Sequence, residues 1–209
     1  MLKNKYKMFF DFSKEERWLS EMSESGYALM SINWLGRYSF QQTEPRKYNY
    51  RVDYRVFQNA VDFQEYRSFF EDSGWKLICG TKNAGAQYFV QMREDATEDI
   101  FSDAASRAGR YKRLSAVWLS LFAAFLPVVV VLGTTNPYGL TAFTNPKALY
   151  YTPGLWQMTG ARFWRAFLFE TPFAAGRGFL WLIVLVVLAF YLAAFLKARL
   201  LYRRYLREL

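Results

Sequence analysis

The sequence predicts an α+β domain followed by a pair of membrane-crossing helices, and three observations lead there. Two runs, Leu114 to Gly133 and Phe179 to Leu196, contain no charged side chain. At a rise of about 1.5 Å per residue each reaches roughly 27 to 30 Å, the thickness of a bilayer's hydrocarbon core. Charge is divided sharply near Ser106: residues 1–106 hold 14 Lys and Arg against 16 Asp and Glu, a net of −2, whereas 107–209 hold 13 against 2, a net of +11. Within the near-neutral half, an order of strand, helix and hairpin recurs after 48 residues.

The elements follow in order. Tyr6 to Phe12 reads as a strand, and Ser13 with Glu16 has the spacing of a capping box opening the helix KEERWLSEMSESG. Trp18, Leu19 and Met22 share one face of that helix, and Gly26 is placed to stop it. The segment YALMSINWLGRYSFQQ, with its internal glycine, reads as a hairpin. The strand KYNYRVDYRVF, the helix VDFQEYRSFFEDSG and the hairpin WKLICGTKNAGAQYFVQ then repeat the plan. At this offset Trp18 aligns with Tyr66, Met22 with Phe70, Leu29 with Leu77 and Phe40 with Tyr88. The expectation is a duplicated strand-helix-strand-strand unit, ferredoxin-like, with its helices on one face of a largely antiparallel sheet over residues 1–95.

Residues 96–113 are acidic and small, then basic, and read as a linker or an exposed helix. The first membrane helix is expected over 114–133, kinked by Pro127, and the second over 179–196. Between them, 134–178 reads as an extracytoplasmic loop rich in aromatics, with ARFWRAFLFE as a short helix on the bilayer surface. Residues 197–209 form a basic cytoplasmic tail. Nine Lys and Arg flank the outer ends of the two runs and four lie between them, which places both termini in the cytoplasm of a multi-pass cell-membrane protein. The opening residues MLKNKYKMFFDF are basic and then briefly aromatic, too short an apolar run for a signal peptide.

Composition excludes several functions. The net charge of +9 would ordinarily raise nucleic acid as a partner, but the excess sits beside the apolar runs and suits anionic lipid headgroups instead. Cys79 is the one cysteine and histidine is absent, so intramolecular disulfides, Cys/His zinc sites and His-based catalytic triads are excluded by inventory. No P-loop or dinucleotide fingerprint occurs, and no cofactor, metal or catalytic residue is expected.

The linked phrases KYKMFFDFSKEERWLSEMSESGYAL, YRVDYR at Tyr50 to Arg55, and FEDSGWKLI resemble a bacterial family, domain of unknown function 2812, over roughly residues 3 to 95. The resemblance implies a cytoplasmic domain followed by membrane helices, and genes that often neighbour a PadR-type transcriptional regulator. No activity is established for that family, so it implies no catalytic residues.

Four constellations are candidate sites. Alternation in YRVDYR puts Arg51, Asp53 and Arg55 on one face, either an anion-binding surface or a cross-strand charge ladder facing water. The aromatics Tyr27, Trp34, Tyr38, Phe40, Tyr48, Tyr50, Tyr54, Trp75, Tyr88 and Phe89 form either a stacking surface or the core of a small sheet domain. The carboxylates Glu15 and Glu16, Asp62 and Glu65, Glu71 and Asp72 read as solvated helix faces, and Glu94, Asp95, Glu98, Asp99 and Asp103 lack the Gly turn and terminal Glu of a calcium loop. The juxtamembrane cations Arg110, Lys112, Arg113, Lys197, Arg199, Arg203 and Arg204 either contact the membrane surface, at about 1 kcal/mol each near an anionic leaflet, or set topology alone.

Three functional readings follow. The first is a membrane-anchored binding or regulatory module acting through protein contacts or a small ligand. The second is an accessory subunit of a transporter or envelope-stress system, with the hairpin and its loop as the working part. The third is a histidine-independent enzyme, which the missing catalytic inventory disfavours.

Overall fold

Glycines punctuate the N-terminal half where the sequence places them. In the computed structural model, which describes residues 2–33, 35–93, 95–97, 99–139 and 141–207, the order is β1 (Leu2–Tyr6), α1 (Phe12–Glu24), β2 (Tyr27–Ile32), β3 (Arg37–Gln42), β4 (Tyr50–Tyr54), α2 (Ala60–Asp72), β5 (Trp75–Cys79) and β6 (Ala86–Gln91). Gly26 and Gly74 end the two helices with φ of 81° and 84°, and Gly36 turns the first hairpin with φ of 72°.

The strands form two three-stranded antiparallel sheets, ordered β1-β3-β2 and β4-β6-β5. The expectation of one sheet with both helices on one face is therefore corrected. Along β6 the side chains alternate: Tyr88 and Val90 pack with Leu19 and Met22 of α1, whereas Phe89 packs with Tyr66 and Phe70 of α2. The second sheet is thus covered on both faces by different helices. Tyr38, Phe40, Tyr50, Trp75, Tyr88 and Phe89 are buried, so the aromatics are core; Trp34 lies outside the described residues.

Two boundaries differ from the sequence reading. The first strand ends at Tyr6, and Phe12 is already helical. The N-cap is Asp11, not Ser13: Asp11 Oδ1 accepts from Ser13 N at 3.1 Å, while Ser13 Oγ is taken by an arginine from a distant helix. That helix is α3 (Ala104–Thr135), which absorbs the end of the expected linker and runs through Pro127.

A short helix, α4 (Thr141–Thr144), and two 3₁₀ turns precede α5 (Gly160–Arg207), which takes in ARFWRAFLFE and continues through Pro172. The expected loop is therefore half helical. On either side of Pro172, Glu170 and Arg177 hold the same strand of loop: Glu170 accepts from Tyr151 N, Thr152 N and Thr152 Oγ1, and Arg177 donates to Leu149 O and to Glu170 at 2.8 Å. This anchoring carries the helix past the residue that would otherwise end it. Both α3 and α5 are long and apolar enough to cross a membrane.

The chain divides into two units, residues 1–116 with 194–209, and residues 117–193. In the second, Trp118 meets Phe190 edge-on with ring centres 5.8 Å apart, and Phe125 meets Tyr191 at 5.4 Å. In the first, Ala108, Arg110 and Tyr111 from the start of α3 and Ala198 from the end of α5 are buried.

Candidate functional site

Three acidic residues of the first helix region organise the polar interior of the first unit. Glu15 and Glu16, expected in solvent, are 3% and 8% exposed. Their helix is enclosed by β2 and β4 from different sheets, and Glu15, four residues before Leu19 and seven before Met22, lies on the same buried face as these two. Glu15 accepts hydrogen bonds from the hydroxyls of Tyr38 at 2.6 Å and Tyr88 at 2.8 Å, one tyrosine from each sheet. Burial pushes the Glu15 carboxyl above its ordinary value, with the two hydroxyl donors opposing. The same burial, and then the nearby carboxylate, raises both tyrosines.

Glu16 closes the exposed edge of β4. It accepts from Val52 N at 2.9 Å and pairs with Arg110, whose Nη1 donates to Val52 O at 2.6 Å and whose Nη2 donates to Ser13 Oγ at 3.1 Å. Burial raises the Glu16 carboxyl, and Arg110 offsets part of that cost. One helical turn on, Arg113 donates to Tyr54 O and to Asp53 Oδ1 at 2.6 Å. An edge strand presents unpaired N–H and C=O groups that invite another strand. Here Glu16, Arg110 and Arg113 satisfy them, so α3 seals the sheet.

The third acid, Asp11, ties in both long helices. Besides capping α1, its Oδ1 accepts from Tyr111 OH at 2.7 Å and Tyr205 OH at 3.3 Å. The two rings stack with centres 5.1 Å apart and planes 6° apart. Lys197 lies over the Phe10 ring at 4.3 Å.

Beside the Glu16–Arg110 pair is a cavity of about 240 Å³, lined by Arg17, Arg51, Arg107, Arg110, Asp99 and Ser13 among others. Arg51 and Arg107 share one carboxylate, that of Asp99, the first at 3.2 Å.

The expected trio on β4 is split up. Arg51 turns to Asp99; Asp53 is buried between Arg113 and Tyr66 OH at 3.0 Å; Arg55 lies over the Phe57 and Tyr66 rings at 5.3 and 5.6 Å. Phe57 and Tyr66 provide apolar packing that the strand alternation alone does not reveal. Of the expected membrane-surface cations, Arg110 is a correction: it is 1% exposed because Glu16 and the β4 edge draw it inward. Arg113 is held on β4, whereas Lys112, Lys197, Arg203 and Arg204 are exposed and Arg199 is half-buried. Asp62, Glu65, Glu71 and Asp72 are exposed as expected. Glu94 and Glu98 lie outside the described residues, and among the described residues no cluster fit to hold a metal occurs.

Sequence reading missed the roles of Asp11, Glu16, Arg110, Tyr111 and Tyr205. The available signal was the Arg110–Arg113 spacing, which puts both guanidinium groups on one helical face before the apolar run begins.

No curated protein and no solved structure matches the chain. A family match covers residues 11–123, more than half the chain, and it extends past the sheets to take in Arg107, Arg110, Tyr111 and Arg113 of α3. The matched span thus includes the helical segment that completes the domain, and the chain belongs to the family Protein of unknown function (DUF2812).

Proposed function

We propose that this chain is a cell-membrane-anchored binding or regulatory module, with both termini cytoplasmic, whose folded domain acts through contacts with another protein. α3 and α5 form its two-pass anchor. The observation that carries the reading is the convergence of Tyr111 from α3 and Tyr205 from α5 on Asp11, the cap of a core helix. A passive tether would not need its ends built into the domain. Displacement of either helix would act on α1, and through Glu15 and Glu16 on both sheets.

Binding rather than catalysis is favoured because the buried carboxylates already have donors and histidine is absent. The equal 48-residue spacing of β1 with β4 and of α1 with α2, together with the matching strand orders, supports descent of the two halves from one ferredoxin-like unit. A second reading, an accessory subunit of a transporter or envelope-stress system, is favoured by the Glu170–Arg177 clasp, which gives the segment between the apolar runs a fixed structure.

Cross-linking in the native membrane tests the proposal. A partner captured through cytoplasmic-domain residues supports the module; capture confined to residues 134–178 supports the accessory subunit. Reproducible recovery of no partner from either region counts against both.

A further inference from the structure

We infer that the cavity between α1, β4 and α3 is a binding site for a phosphate group. Four guanidinium groups, of Arg17, Arg51, Arg107 and Arg110, face two carboxylates, of Glu16 and Asp99, across a space of about 240 Å³. Among the described residues the lining carries two positive charges more than negative, which matches a phosphate monoester carrying about −1.5 to −2.

Hydrogen-bond inventory points the same way. Arg110 Nε is buried and has no acceptor among the described residues, although the rest of that guanidinium is engaged. A buried N–H without an acceptor is costly, and an anion oxygen is the acceptor a guanidinium best accommodates. Ser13 Oγ accepts from Arg110 and so keeps its own proton to donate. Arg17 is exposed and has no hydrogen bond or ion pair among the described residues, leaving its fork available. Phosphate fits this set better than a carboxylate, since three oxygens can meet donors arriving from a helix, a strand and a second helix.

The group can arrive free in solution or as the head of a phospholipid. The second route rests on the proposed membrane placement, because Arg107 and Arg110 precede the apolar run at Leu114 by about one to two helical turns.

Thermal unfolding of the full chain tests the site with two probes. In neutral detergent, inorganic phosphate is titrated against chloride at matched ionic strength; separately, nanodiscs of phosphatidic acid are compared with nanodiscs of phosphatidylcholine. Arg17→Gln and Arg107→Gln are the variants, since both side chains are solvent-accessible and their loss leaves the Glu16–Arg110 pair intact. The wild type should show saturable stabilisation, and either variant should need about tenfold more phosphate to reach it. A variant-sensitive shift with free phosphate identifies a soluble ligand; one with phosphatidic acid alone identifies a lipid headgroup. No stabilisation by either probe, or equal stabilisation of the wild type and both variants, overturns the site.

Discussion

α1 and α2 hold the same place in two successive strand-helix-strand-strand segments and have the same length, 13 residues, yet their surroundings differ completely. α1 buries Phe12, Glu15, Glu16, Leu19, Met22 and Ser23, whereas α2 buries only Tyr66 and Phe70. Their N-caps, Asp11 and Asn59, are equivalent at the 48-residue offset. Asp11 also receives two tyrosine hydroxyls from the long helices, whereas Asn59 bonds within its own first turn, to Asp62. Glu15 and Glu16 correspond to Phe63 and Gln64, so the acids are particular to the enclosed helix. The same local plan therefore yields a polar hub in one half and a peripheral helix in the other, depending on what covers each.

Substitutions in and around the two helices should differ in cost accordingly. The largest loss is expected from Arg110→Met, which strands the Glu16 carboxylate against the β4 edge: about 3 to 5 kcal/mol in denaturant unfolding of the full chain in detergent. Asp11→Ala removes a cap and the acceptor of two hydroxyls and should cost about 2 kcal/mol, against about 1 kcal/mol for Asn59→Ala, where only a cap is lost. Equal losses would remove the distinction between the two caps. Arg67→Ala, breaking an exposed i,i+4 pair with Glu71 on α2, should stay within about 0.5 kcal/mol.

Glu15→Gln gives a pH signature instead. Burial raises the folded-state pKa of Glu15 above its ordinary 4.5. Its contribution is therefore complete below that unfolded value and is lost as pH rises through the folded value. The stability of Glu15→Gln relative to the wild type should accordingly improve from acid to neutral pH. A pH-independent difference would contradict the burial of that carboxyl.

Much of the N-terminal half was legible because it rests on local signals. Gly26, Gly36 and Gly74 mark the ends of elements, and strand alternation marks β4 and β6. The two apolar runs were legible for the same reason. What the sequence concealed depends on residues far apart: Glu16 and Arg110 are 94 positions apart, Asp11 and Tyr205 are 194. The acids of α1 were read as lying opposite the apolar stripe, but Glu15 precedes Leu19 by four residues and Met22 by seven and so shares the buried face, with Glu16 at its margin. The Arg51, Asp53 and Arg55 trio failed for a related reason. Alternation fixes which side of a strand a residue leaves from, not which distant helix supplies its partner.

The beginning of α3 is a structural part of the folded domain, bound to α1 through the buried Glu16–Arg110 ion pair. A double-mutant cycle of Glu16→Gln and Arg110→Met, read by denaturant unfolding of the full chain, measures that link directly. A coupling energy of about 2 kcal/mol or more is the expected result. Additivity within about 0.5 kcal/mol would mean that the two side chains do not meet and that α3 is not bound to α1 in this way.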